Sequence, residues 1–270
     1  MNTLKSIATN SPVLFAISLM MIWFVAGLVF MGIASGALRR PYGDAVTTTV
    51  GRLAITVCVL GLVWRLGWLE ASGITRLGHW QVWVLAVVGM LYFAGASLYA
   101  FYGKGAFDMS NLIREPASRT IVLTQVVVSL SEELLFRGVM LYVLLHAWGH
   151  TRLGIIGSVV LSAVLFALMH ITQVFTHGVS WSSALLLTAQ TCISAVWWGA
   201  VVVWGGSLWP AVLLHFVINA AIPIQGLVTP MITPEILVYR RILWFSLPLG
   251  IVGIGLLARI ALPPITPDAS

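Results

Sequence analysis

Charge is scarce in this sequence. Only 8% of its 270 residues are Asp, Glu, Lys or Arg, 60% are hydrophobic, and the mean hydropathy is +1.01. A soluble domain carries about 25% charged residues, so the composition excludes a water-soluble globule. It specifies an all-α polytopic membrane protein, with no soluble domain beside the bundle. Cysteine is also scarce. Cys58 and Cys192 each sit in an apolar run, which excludes a disulfide framework and reads as small buried side chains. No dense basic run exists. The formal charge of +6 is carried mostly by loop Lys and Arg, which excludes nucleic-acid binding and fits anchoring at a membrane face. No internal repeat, low-complexity tract or long linker occurs. Asp44, Asp108 and Asp268 all fall outside the apolar runs, so an aspartyl intramembrane protease is excluded. Zincin-type H-E-x-x-H is missing, because Ala147 stands in the Glu slot between His146 and His150. Ser207 follows Gly205-Gly206 but meets a short loop, a poor match to a serine protease site.

What is abundant is membrane-length apolar sequence. A spanning helix needs about 20 such residues, and eight runs qualify as spans: 13–35, 52–69, 82–102, 120–146, 153–171, 182–204, 207–224 and 242–262. The whole of 1–270 reads as one transmembrane domain. The run Val13–Leu38 is longer than a signal-peptide core of about 7–15 residues, so it is expected to be a retained first span. Trp (12) and Tyr (6) are plentiful enough for interfacial belts. The stretch Tyr102–Arg119, with Lys104, Asp108, Arg114, Glu115 and Arg119 around apolar residues, reads as a short interfacial amphipathic helix or a solvated loop. The proline-rich tail Leu262–Pro267 cannot continue a helix. With eight spans, Lys5, Arg76, Arg152 and Arg259 share the face of the termini. Arg39, Arg40, Arg52, Lys104, Arg114, Arg119, Arg240 and Arg241 share the other. The excess on the second face places it in the cytoplasm.

The fourth span breaks the apolar pattern with Glu132, Glu133 and Arg137. Each intramembrane charge costs about 2.5–3.5 kcal/mol on insertion scales, and such clusters are functional sites by default. Glu133 and Arg137, at i,i+4, can pair along one face. Glu132 lies about 100° around the helix with no local basic partner, which makes it the better candidate for a general base. His170 falls in the last turn of the fifth span, after Phe166. His215 and Asn219, at i,i+4, project from one face of the seventh. Glu132 lies about twelve residues, roughly 18 Å, along its helix. All four groups then fall at one depth, somewhat cytoplasmic of the midplane. A glutamate that deprotonates water, a histidine that holds it and a His–Asn pair for an oxyanion make a hydrolytic set. A structural charge cluster and a packing or interhelical role for His170 and Asn219 remain alternatives. His146 and His150 read as interfacial, and His79 and His177 as loop residues with no visible partner.

At these residues the chain resembles the type II CAAX-protease family, also called CPBP intramembrane proteases (the ABI family). Its pattern E-E-x-x-x-R, F-x-x-x-H, H-x-x-x-N on three membrane helices is matched by Glu132-Glu133…Arg137, Phe166…His170 and His215…Asn219, and Gly138 after Arg137 also looks like the family. The resemblance covers about 120–225 and implies an endopeptidase within the membrane. Glu132 would be the base, His170 would position the water, His215 and Asn219 would form the oxyanion hole, and Glu133, Arg137 and Phe166 would support them. It implies a peptide or membrane-anchored protein substrate, a prenylated C-terminus being one candidate, and a multi-pass protein, by preference of a prokaryotic plasma membrane with a cytoplasm-facing site. No cofactor is expected; were zinc bound, His170, His215 and Glu132 would be its ligands. The rivals are a non-catalytic immunity or scaffold protein of the same family and a proton-coupled transporter, although no inverted halves with matching broken helices support the transporter.

Overall fold

The computed structural model describes residues 2–101, 116–176, 178–228 and 235–260. Among them every regular element is helical. These are α1 (Asn2–Asn10), α2 (Pro12–Leu38), α3 (Ala45–Leu66), α4 (Trp80–Phe101), α5 (Pro116–Glu133), a π-helical stretch Leu134–Met140, α6 (Leu141–Trp148), α7 (Arg152–Leu168), a 3-10 turn Met169–Thr172, α8 (Gln173–Thr176), α9 (Trp181–Gly205), α10 (Trp209–Val228) and α11 (Glu235–Ala258). Residues 102–115 of the expected interfacial segment Tyr102–Arg119, His177 and the proline-rich tail lie outside the described residues, while 116–119 open α5.

Five helical stretches are long and apolar enough to cross a membrane: Pro12–Leu38, Ala45–Leu66, Arg152–Thr176, Trp181–Gly205 and Leu237–Ala258. The apolar stretches Trp80–Gly95 and Trp209–Ala220 are shorter. The expected fourth span is not one α-helix but two, joined by the π stretch. The all-helical, multi-pass reading therefore holds; among the described residues five stretches meet the length and hydropathy of a span, and they do not establish the expected eight.

Local sequence explains several boundaries. Pro12 opens α2 at a position where its missing N–H costs nothing. Asp44 caps α3 by accepting the Thr47 amide at 2.6 Å, and that hydrogen bond holds its carboxyl below the ordinary value. Gly67, at φ 72°, closes α3, and its N–H reaches Trp64 O. Thr151 and Ser180 cap α7 and α9 through Gly154 N and Ser183 N. α3 consequently starts at residue 45, two turns before the expected 52, and this matters for the site.

Helix α9 is central. Two thirds of its apolar window is buried, against 22% for α2, whose Leu14, Ile22, Val29 and Ile33 face outward as a membrane solvent allows. Small residues let α11 approach α9: a Cβ on Gly250 would lie 2.7 Å from Ile193 Cγ2, and one on Gly253 would lie 3.1 Å from Trp197 Cα. Thr49 and Thr124 share a 2.8 Å hydrogen bond that ties α3 to α5. All seven residues of the π stretch are buried, so Arg137 sits in an enclosed part of the bundle. Ser162 of α7 donates to Phe136 O at 2.9 Å, satisfying a carbonyl of this irregular turn.

The α3–α4 loop docks on the α9–α10 turn. Leu208 N donates to Gly73 O, Trp209 Nε1 to Ile74 O and Ser207 Oγ to Arg76 O. Ser207 also accepts from Trp209 N. Its hydroxyl is thus a structural cap, in line with its rejection as a nucleophile. Gly78 has φ +74°, and a Cβ there would lie 2.7 Å from Gly205 O. Gly78→Ala should cost about 1–3 kcal/mol from backbone strain alone. Thermal unfolding in detergent at the wild-type temperature would show that this docking contributes nothing.

Candidate active site

The π stretch follows Glu132 and Glu133 directly and carries Arg137. Single π turns inside α-helices are frequent at functional sites. Arg137 Nη1 donates to Glu133 Oε1 at 2.8 Å, and the two side chains are 1% and 0% exposed. The expected i,i+4 pair is therefore present and sealed. The Arg137 guanidinium also lies over the rings of Phe166 (4.4 Å) and Trp198 (5.2 Å), a cation–π arrangement in a desolvated place.

The same Glu133 oxygen accepts from His215 Nδ1 at 2.7 Å. An ionised carboxylate only accepts, so Nδ1 carries the hydrogen. Trp198 stacks on the His215 ring at 4.7 Å and 21°, and Phe166 meets it edge-on at 5.5 Å. His215 is thus fixed by three neighbours, and its Nε2 faces Glu132 Oε2 at 3.6 Å.

Glu132 departs from expectation. Its Oε1 lies 3.3 Å from Arg52 Nη2 of α3. The carboxylate without a local partner has a distant one. The expected span 52–69 puts Arg52 at its very end, among the arginines of the cytoplasmic face. The signal that was available is the Asp44 cap, which starts α3 two turns earlier and puts Arg52 inside the helix. Glu132 is 13% exposed where Glu133 is fully buried.

That exposure opens on a cavity of ≈ 210 Å³ lined by Trp23, Gly27, Arg52, Glu132, Phe166 and His170, among others. One water needs about 10–15 Å³ of such space, so water fits beside Glu132. A second cavity of ≈ 130 Å³ is lined by His170, Gln190, Trp198, His215, Asn219 and neighbours. Phe166, His170 and Gln173 belong to both. Glu132 and His170 thus meet at the first cavity, and His170, His215 and Asn219 at the second. His170 Nδ1 lies 3.3 Å from Phe166 O. A carbonyl only accepts, so this bond leaves Nε2 as the acceptor of a neutral ring.

Two further described histidines have partners of their own. His79, expected to lack a partner, bonds Gln81 Oε1 and Trp204 O. His146 packs on Tyr142. Among the described residues no three His, Cys, Asp or Glu side chains gather as a metal-ligand set. Trp23, Arg52 and Trp198 are the contributors that sequence reasoning missed.

Residues 116–221 match the family model described as type II CAAX prenyl endopeptidase Rce1-like. No curated protein and no solved structure matches the chain.

Proposed function

From the Rce1-like character of residues 116–221, we propose that this integral membrane protein is an endopeptidase that hydrolyses a peptide bond with a glutamate-activated water. The observation that carries the reading is the unequal fate of two adjacent carboxylates. Glu133 is sealed against Arg137 and His215, while Glu132 lines a cavity large enough for water that His170 also lines.

In this reading Glu132 takes a proton from water, and His170 Nε2 accepts the water's other hydrogen and aims it. The hydroxide attacks the scissile carbonyl. The oxyanion is received in the second cavity by the Asn219 amide and by His215 Nε2–H. Because Nδ1–H is committed to Glu133, donation from Nε2 needs the doubly protonated ring, which Glu133 and the developing oxyanion balance in charge. Glu132 then returns its proton to the leaving amine. The substrate is a peptide or a membrane-anchored protein, for which a prenylated C-terminus is the first candidate. The basic excess in one set of loops supports a cytoplasm-facing site, by preference in a prokaryotic plasma membrane.

The test is cleavage of a quenched fluorogenic peptide ending in a prenylated CAAX tetrapeptide, by protein in proteoliposomes. His170→Ala should lower kcat by about 10²-fold or more, and a chelator should leave the wild-type rate unchanged. Wild-type turnover in His170→Ala would remove the mechanism, and loss of activity on chelation, restored by zinc, would replace it with a metal-dependent one. A folded wild-type protein that cleaves nothing would favour the immunity or scaffold role.

A further inference from the structure

The matched segment leaves out α2 and α3, yet both reach the site. Arg52 of α3 is the one arginine or lysine paired with Glu132 among the described residues, because Arg137 is committed to Glu133, and His215 Nε2 stands on the other side of the carboxylate. We propose that Arg52 is a positioning residue that clamps one oxygen of Glu132 and thereby presents the other to water. This rests on Glu132 being the base.

The geometry divides the carboxylate. Oε1 lies 3.3 Å from Arg52 Nη2, and Oε2 lies 3.6 Å from His215 Nε2. A glutamate held at one oxygen keeps a single rotamer and offers a single basic atom. The clamp is itself braced. The Arg52 guanidinium lies 4.5 Å over the Trp23 ring, and Trp23 packs edge-on against Phe136 of the π stretch at 6.1 Å. One turn before Arg52, Thr49 is hydrogen-bonded to Thr124 of α5, which keeps α3 in register with the helix bearing Glu132. Arg52 Nε has no partner in its buried position, so Nη2 and the Trp23 face are what hold the group. Each glutamate thus has its own arginine, one from the matched segment and one from outside it. The planar, delocalised guanidinium suits simultaneous stacking and carboxylate binding in a way an ammonium does not.

A purely structural ion pair makes a different prediction: Arg52 variants would unfold more readily but turn over normally once folded. The experiment compares Arg52→Met, Arg52→Lys, Glu132→Gln and the double variant Arg52→Met/Glu132→Gln in detergent, by thermal unfolding and by cleavage of the quenched prenylated peptide. Arg52→Met should lower kcat by about 10- to 100-fold, as a misplaced catalytic group does, with KM near wild type. Arg52→Lys, or guanidinium added to Arg52→Met, should restore part of the rate. The unfolding-temperature losses of the two single variants should exceed that of the double. Wild-type kcat in Arg52→Met, with the wild type active, overturns the positioning role and leaves the endopeptidase reading standing. Strictly additive unfolding shifts overturn it as well. Absence of cleavage by the folded wild type removes the endopeptidase reading, and the positioning role falls with it.

Discussion

Glu132→Gln should cleave about 10²–10⁴-fold more slowly than the wild type, the usual worth of a positioned general base, and should still fold. The substitution keeps the side chain's shape and removes its basicity. Its fold cost is small because Glu132 lies at a cavity wall, 13% exposed, so the polar amide is not sealed away from water. Glu133→Gln makes the contrast. That side chain is fully buried and holds both Arg137 and His215 by one oxygen, so its loss should disturb folding and rate together. Rates measured on protein that retains its wild-type unfolding profile check both statements. A Glu132→Gln protein with wild-type turnover would assign the chemistry to another group.

Arg137→Ala should destabilise the protein by about 3–5 kcal/mol, the cost of leaving a partner charge buried alone. That is a large share of a total stability of about 5–15 kcal/mol. Arg137 is 2% exposed and Glu133 is fully buried. Removing the guanidinium also strips the contacts over Phe166 and Trp198. Replacing the pair together, as Glu133→Gln/Arg137→Met, should recover much of the loss, since no unpaired charge then remains. Denaturant or thermal unfolding in one detergent measures both. A single variant as stable as wild type would mean that Glu133 finds another cation or becomes neutral at little cost.

The parts of the site legible in the sequence are those written in local spacing. Glu133 with Arg137 and His215 with Asn219 are four-residue intervals, and a helix places such residues on one side whatever surrounds them. The Glu133–Arg137 bond at 2.8 Å follows from that alone. The membrane class follows from scarce charge and long apolar runs, which need no tertiary information. The break in the expected fourth span was less legible. No proline or paired glycine marks the π stretch, and an apolar run such as Leu134–Met140 reads as continuous α-helix. What sustains the irregular turn is a hydroxyl from another helix, Ser162, on Phe136 O.

The sequence by itself determined the solvent of this protein, the helical class, and the identity of the polar groups that must be gathered, because hydropathy and helical period are properties of neighbours in the chain. The tertiary structure decided how the two glutamates differ. Glu132 and Glu133 are adjacent and chemically identical; local spacing gives Glu133 its Arg137, and the rotation and depth of α3, α7 and α10 around them settle the rest of the difference. Arg137 and His215 seal one carboxylate, while Arg52 holds the other at the edge of a cavity. Partners 80 or so positions apart in the chain carry no local signal of each other. The angle at which two helices face one another depends on the packing of whole surfaces.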